Sequence, residues 1–295
     1  MVCYNDEDIS KIKKEFSLFQ TNKSKYAEIA RLVTIIVNRY SDKPQLYHFA
    51  YYGLLRRIKT LERCVENIFN TRDFFDDTIP SDSDLSDILI NLQCFVINLY
   101  GALENLAWIY AIYINFDGNV HNKSFFDKNK KLLNTLPENI RTLFTKHSEW
   151  FSHIKKIRDL LVHQEPFYIP PYCIIDKYKD RFNVLENHKK EAEKKFFDEW
   201  FNMYKVKDLS SKIKTIDKIK TKLHKYEKLE QCYNKTILTI NNEQSNYMFF
   251  KPILAVNTNK EDFLSIQFYP QVLNDTKTLY EKIILLLSYI VSNEK

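Results

Sequence analysis

Apolar residues recur every three to four positions through most of the chain, and this period predicts amphipathic helices. Between roughly residues 176 and 230, aromatic residues are spaced among many Lys and Glu residues, which predicts one or two long, solvated helices. Earlier in the chain, helices are expected at about 6–20, 24–40, 44–71, 83–115, 137–146 and 148–164.

The pattern changes near the end of the chain. Three β-branched and aromatic segments separated by Asn-rich turns predict a small antiparallel sheet: TILTI (236–240), YMFFKPILAV (247–256) and FLSIQFY (263–269). Helical spacing returns from about residue 275 to 291. The predicted fold is therefore mainly α, a helical bundle with a small C-terminal antiparallel β element and a terminal helix.

We predict two regions in the chain. Residues 1–175 should form the helical bundle, and residues 176–295 should form a C-terminal extension packed on the bundle as one unit. One apolar stretch, Ile88 to Ile114, is long enough to span a bilayer. Polar residues recur through its middle, and a carboxylate such as Glu104 is costly inside a membrane. The stretch is thus interpreted as a core helix, and no membrane association is expected.

Composition excludes several classes of function. The chain has only three glycines, so it cannot form a Gly-rich phosphate loop. Its five cysteines are widely separated and odd in number, which argues against a zinc knuckle or a disulfide scaffold and favours the reducing cytoplasm. We predict neither a metal nor another cofactor. The formal net charge of +6 is compatible with an anionic partner such as RNA but is weak evidence for one.

The stretch IRDLLVHQEPFYIPPY (157–172) carries the strongest candidate chemistry. It ends a predicted amphipathic helix and leads into a stiff segment of prolines and aromatics. Asp159 and His163 are four residues apart, the spacing at which helical side chains touch, so Asp159 is expected to orient the imidazole. Arg158 and His163 are separated by about 140° and about 7.5 Å along the helix.

These three residue types suit the cleavage of RNA without a metal. A histidine can move the proton of the 2′-hydroxyl or of the leaving group, and an arginine can stabilise charge on the phosphate. The ordinary alternative is that Arg158 and His163 only complement the dipole at the end of the helix. Spacing alone leaves both interpretations open.

The segment RDLLVH (158–163) resembles the R-x4-6-H motif of the HEPN superfamily. Two further segments support the resemblance. NLYGALENLAWI (98–109) is similar to the long earlier helix that carries a polar residue in that family, and PFYIPPY (166–172) is similar to a bacterial subgroup of uncharacterised HEPN-like proteins. The resemblance covers roughly residues 45–175.

The resemblance implies a bundle that forms a homodimer and brings two motifs together across one cleft. Arg158 and His163 would then be catalytic, with Asp159 orienting the histidine, in a metal-independent endoribonuclease acting on RNA as a toxin-like or phage-defence effector. An antitoxin or another regulatory protein would be its partner. Other members of the superfamily are non-catalytic binding or scaffold modules for nucleotides, RNA or proteins. Gln164-Glu165 follows the histidine where a basic residue is expected in the nearest relatives, and an acid beside the cleft would weaken the attraction of RNA, which leaves the substrate type in doubt.

Three more residues are candidates for substrate binding or for support of the site. Glu104 and Asn105 lie on the long apolar helix, where a carboxylate must be paired, hydrogen-bonded or protonated. Glu104 is expected either to pair with Arg158 or with Arg56-Arg57, or to shape the cleft. Tyr168 either borders the cleft or packs in the core.

Overall fold

The structure is a computed structural model that describes residues 4–21, 23–76, 78–118, 123–126, 130–163, 166–204, 215–259 and 262–293. The chain is mainly helical, with short antiparallel strands and a helix at its C-terminal end, which confirms the predicted fold class. Its first helices are α1 (Asp6–Thr21), α2 (Lys23–Arg39), α3 (Pro44–Tyr47), α4 (Arg56–Thr71), α5 (Asp82–Tyr113), α6 (Glu138–Thr145) and α7 (Ser148–His163). The later elements are β1 (Cys173–Ile174), α8 (Lys179–Tyr204), α9 (Thr215–Ser245), β2 (Met248–Phe249), β3 (Ile253–Asn259), β4 (Asp262–Gln267) and α10 (Phe268–Ser292).

The helix predicted over 44–71 is interrupted by a π segment, His48–Leu55, which joins α3 to α4 without a turn. A π turn takes up more residues than an α turn, so it widens the helix and shifts the side chains that follow it. The three- and four-residue apolar spacing of the sequence does not reveal such a widening. Short π segments occur frequently at functional sites.

Helix α5 is the central element of the fold. It packs against α4, the π segment, α7 and α10. Its start is fixed by a capping box, because the Ser81 hydroxyl accepts from the Asp84 amide at 3.1 Å and the Asp84 carboxylate accepts from the Ser81 amide at 3.2 Å. The capping box fixes where α5 begins, and this start determines which of its residues face α7 and α4.

Within the described residues, α5 is the one helix long and apolar enough to cross a membrane by length and composition. In the structure it packs against other helices, and two of its large apolar side chains, Ile90 and Ile97, are exposed. This packing agrees with the interpretation of the stretch as a packed helix of the bundle.

The chain divides into two compact units. The larger comprises the described residues within 2–171 and 252–295, and the smaller comprises those within 172–251. The terminal helix, assigned above to the C-terminal extension, thus belongs to the larger unit together with β3 and β4. In that unit α10 packs against α2 and α5, and its inner face consists of Leu279, Ile283, Leu286, Leu287 and Ile290.

Strands β3 and β4 of the larger unit pair antiparallel, with Leu254 opposite Ile266. They confirm the β structure predicted within 247–256 and 263–269. Helix α10 begins at Phe268, seven residues before the predicted start at about 275. Pro270 argued against a helix here. A proline is tolerated in the first turn, however, because the backbone amides of that turn have no acceptor within the helix.

The smaller unit contains α8 and α9, which pack on each other through contacts such as the stacked rings of Phe196 and Tyr233, 4.6 Å apart. The strand predicted at TILTI (236–240) is wrong, because these residues lie inside α9. Ile240 is buried at a helical spacing of seven from Tyr233. The helix-forming residues on both sides outweigh the small propensity cost of the β-branched side chains.

Candidate functional site

Helix α7 is anchored by buried apolar side chains on one face, among them Ile154, Ile157 and Leu160. The motif residues emerge beside this face. Arg158 is half-buried, with 25% of its side chain exposed, and His163 is exposed as the last residue of the helix. The structure therefore places the two candidate catalytic side chains at the same end of one helix but in different environments.

The guanidinium of Arg158 is held on two sides. Its Cζ atom lies 4.0 Å from the centre of the Tyr100 ring, and its Nη1 atom donates to Asp159 Oδ1 at 2.8 Å. Tyr100 belongs to α5, so this cation–π contact joins α5 to α7. Arg158 is consequently fixed in orientation rather than free in solvent.

Asp159 has partners other than the one expected. Its second oxygen, Oδ2, accepts from Lys155 Nζ at 2.7 Å, and the described residues contribute no hydrogen bond to the ring of His163. Lys155 lies four residues before Asp159, and helical side chains lean toward the N-terminus. The short aspartate therefore reaches the two cations and does not orient His163.

Glu104 is half-buried on the face of α5 near Arg158. Its Oε1 atom accepts from the hydroxyl of Ser124 at 2.5 Å. Burial raises the pKa of Glu104, and the Ser124 hydrogen bond and the charges of Arg158 and Lys155 only partly oppose this rise. The ion pair expected between Glu104 and an arginine is not formed among the described residues, because Arg158 is engaged by Asp159.

Ser124 is positioned by a short segment that packs against α5. The Phe126 amide donates to the Ser124 hydroxyl at 3.0 Å, and the Phe126 ring stacks on Tyr100 with centroids 4.4 Å apart. Tyr100 is thus covered by an aromatic ring while it carries the Arg158 guanidinium. Burial, together with the charge of Glu104, raises the pKa of the Tyr100 hydroxyl. We call Tyr100, Glu104, Lys155, Arg158 and Asp159 the Arg158 cluster.

Asn105 faces another part of the molecule. It contacts the π segment, where a Cβ atom added to Gly53 would lie 2.7 Å from its side-chain amide. Adjacent residues of a helix point about 100° apart, which explains why Asn105 and Glu104 reach different neighbours. Asn105 therefore lines a separate cavity and does not belong to the Arg158 cluster.

Tyr168 is exposed to 56%, so of the two alternatives for its side chain, packing in the core is wrong. Its backbone pairs with Ala255, whose amide donates to the Tyr168 carbonyl at 2.8 Å. Phe167 and Ile169 on either side are buried. Tyr168 is therefore joined to β3 by a single β-bridge, and its ring is exposed.

Sequence reasoning missed Tyr100, Lys155 and Ser124. Two of them had a signal: Tyr100 precedes Glu104 by four residues, and Lys155 precedes Asp159 by four, so each pair shares a helix face. Ser124 had none, because it reaches Glu104 from a connecting segment. The departure at Gln164-Glu165 lies outside the described residues.

The Arg158 cluster combines the fixed guanidinium of Arg158 on α7 with the Glu104 carboxyl group on α5, which retains a proton more readily than usual. The exposed imidazole of His163 lies outside the cluster, at the end of α7. Such groups can bind a phosphate and exchange protons with it. In the part of the chain that is described, no three His, Cys, Asp or Glu residues lie together as metal ligands. No protein-family model matches the chain, and neither the curated proteins nor the solved structures contain a similar protein at the significance required.

Proposed function

We propose that the protein is a metal-independent endoribonuclease of the HEPN type, acting as a cytoplasmic toxin-like or phage-defence effector. The observation that carries this proposal is the fixed Arg158 guanidinium, which lies between Tyr100 and Asp159 on the helix that ends in the exposed His163. An arginine held in advance loses little freedom when it binds a phosphate.

In the proposed reaction, His163 accepts the proton of the ribose 2′-hydroxyl as its oxygen attacks the adjacent phosphorus. The P–O bond to the 5′ oxygen breaks, and the products are a 2′,3′-cyclic phosphate and a free 5′-hydroxyl. Arg158 stabilises the charge that develops on the phosphate oxygens. The proton of the leaving oxygen comes from an acid, and the His163 of a second copy fits this role in a dimer.

The homodimer is supported by apolar side chains exposed next to the motif. Val162 directly precedes His163 and is 53% exposed, and the exposed Tyr168 follows shortly after. Exposed apolar groups around a polar site are typical of interaction surfaces. A second copy seated there would bring its own Arg158 and His163 close to the first pair. A regulatory protein such as an antitoxin would cover the same surface.

A second candidate function is a non-catalytic module that binds RNA, a nucleotide or a partner protein. It is favoured by the partners of Asp159, which neutralises Arg158 and does not orient His163. In such a module Arg158 would still attract a phosphate, but no base would be aligned for proton transfer.

RNA cleavage in the presence of EDTA tests the proposal. The wild-type protein should generate 2′,3′-cyclic phosphate ends, and both Arg158→Ala and His163→Ala should reduce the rate by at least about 100-fold. Two matched control variants should cleave RNA at the wild-type rate. Arg63→Ala replaces an exposed arginine on α4, and His188→Ala replaces an exposed histidine on α8.

The endoribonuclease proposal is contradicted if the wild-type protein does not cleave RNA, or if both Arg158→Ala and His163→Ala still cleave it. RNA binding that survives His163→Ala without any turnover supports the non-catalytic module instead. Expression in bacteria gives an independent measurement, because growth arrest by the wild-type protein should be relieved by His163→Ala and not by His188→Ala.

A further inference from the structure

A second polar site lies on the side of α5 where it meets the π segment and α4. Two of the three glycines in the chain, Gly53 and Gly101, are found at this contact. A glycine inside a helix is less favourable than an alanine, so each of the two glycines needs a local reason. Here both glycines allow a polar side chain to lie directly against a helix backbone.

Gly101 makes room for Arg57. A Cβ atom at Gly101 would lie 2.5 Å from the guanidinium carbon of Arg57, so the guanidinium rests on the backbone of α5. Arg57 Nη1 donates to Asn98 Oδ1 over 3.4 Å, which is long for a hydrogen bond. Gly53 makes the same kind of room for Asn105.

The contact surrounds an open cavity of about 320 Å³. Its lining contains three groups that can be cationic, Arg56, Arg57 and His48, and includes no carboxylate. Neither arginine forms an ion pair with a carboxylate among the described residues, in contrast to Arg158. Arg56 instead stacks over the Tyr52 ring, with its Cζ atom 4.4 Å from the centroid. The cavity thus has uncompensated positive charge.

The cavity also has an unused hydrogen-bond donor. The Asn105 Nδ2 atom is shielded from solvent and has no acceptor in the described part of the chain. A shielded amide without a partner is unfavourable, and an acceptor on a ligand would relieve that cost. Asn105, Arg56 and Arg57 are all donors at this one cavity, and an anion with several acceptor oxygens satisfies them together.

We propose that this cavity binds the phosphate group of a small ligand of nucleotide size. A phosphate matches the forked arginine donors in charge and geometry. The volume accommodates the phosphate with part of an attached ribose or base, and the aromatic residues Phe49 and Tyr52 form the apolar part of the wall. Free inorganic phosphate carries the same recognised group, and the experiment separates the two sources.

The proposal concerns residues other than the Arg158 cluster and stands independently of RNA cleavage. The Arg158→Ala and His163→Ala variants should therefore bind the phosphate ligand as the wild type does. If no RNA cleavage is found, the phosphate site can still be present. If no phosphate binding is found, the protein can still cleave RNA.

Isothermal titration calorimetry at constant ionic strength tests the site with inorganic phosphate, adenosine 5′-monophosphate and adenosine. We expect the nucleotide or phosphate to bind and adenosine not to bind. Tighter binding of the nucleotide than of phosphate identifies a nucleotide site, and equal binding identifies the phosphate alone as the recognised group. Arg57→Gln should weaken binding by at least about tenfold, because it removes a charged donor.

Two further variants control for general effects of charge and folding. Gly101→Ala keeps every charge and improves the helix, but its Cβ atom must displace the Arg57 guanidinium, so binding should weaken. Arg63→Gln removes an exposed charge from the same helix and should leave binding unchanged. Absence of binding by both phosphate ligands, an equal loss in Arg63→Gln, or binding of long RNA alone would overturn the proposal.

Discussion

At the scale of single residues, the role of a polar side chain depends on which neighbours it bonds to, and Asp159 is an example. Asp159 lies four residues from His163 and four from Lys155, so spacing alone does not separate the two partners. The lean of helical side chains toward the N-terminus favours Lys155. The structure selects Lys155 and Arg158, which carry full charges. A carboxylate between two cations holds Arg158 in place, so its contribution to the site is positional rather than catalytic.

Asp275 is a buried carboxyl group whose ionisation should affect stability. It is 6% exposed, and its Oδ1 atom accepts from Trp150 Nε1 and from Gln271 Nε2, both at 2.8 Å. Burial raises its pKa from 3.8 to about 6. Because the folded protein binds this proton more tightly than the unfolded chain, its contribution is fully present below pH 3.8 and is lost as the pH rises through 6.

Asp275→Asn should remove this pH dependence while keeping an acceptor for Trp150. The free energy of unfolding of the wild type, minus that of the variant, should fall by about 2 kcal/mol between pH 4 and pH 7. Urea unfolding at a series of pH values measures both free energies. A difference that stays constant over this range would show that Asp275 does not titrate as described.

At the scale of elements, hydrophobic periodicity predicted most helices, because one face of each is buried. The range predicted as 148–164 became α7, Ser148–His163, and 83–115 became α5, Asp82–Tyr113. The π segment was not predictable, since local apolar spacing does not record one extra residue in a turn. The cavity at Asn105 depends on that widened segment and on close contacts at two glycines, so its geometry required the structure.

The segment TILTI shows why a short β-branched run is ambiguous. Thr236 and Thr239 lie exposed on α9, and their hydroxyls donate to the carbonyls of Cys232 and Lys235 four residues earlier. Such back-bonding slightly destabilises a helix. Replacing both threonines with alanine should stabilise α9 by about 1 kcal/mol in total. Thermal unfolding followed by circular dichroism at 222 nm gives the measurement, and a lower melting temperature would contradict the helix.

At the scale of the whole molecule, the proposed active site needs a second copy of the chain. Val162→Asp places a charge on the exposed apolar surface beside His163 and should abolish the homodimer without disturbing the core, because Val162 is 53% exposed. Sedimentation velocity should show that the variant is a monomer. Its rate of RNA cleavage should be lower than that of the wild type, because the proposed active site needs two copies. Leu238→Asp, at a similarly exposed position on α9, should leave the oligomeric state and the cleavage rate unchanged. A monomeric wild type that cleaves RNA would rule out the shared cleft.

The division into two units suggests that residues 172–251 are an insertion in the larger unit. The larger unit contains the chain on both sides, and the ends of the smaller unit meet at strands β1 and β2, where Ile174 lies opposite Met248. Insertions whose ends lie close together can be removed with little cost to the host domain. The Arg158 cluster and His163 both belong to the larger unit.

Replacing residues 175–247 with Asn-Gly would join Ile174 to Met248 by a two-residue turn, which suits an antiparallel strand pair. The shortened protein should lose the helical signal of α8 and α9 but keep one cooperative unfolding transition, because the core around α5 and α10 is intact. Circular dichroism and urea unfolding measure both effects, and RNA cleavage should persist if the Arg158 cluster is the active site. A shortened chain without a cooperative transition would mean that the smaller unit is needed to fold the larger one.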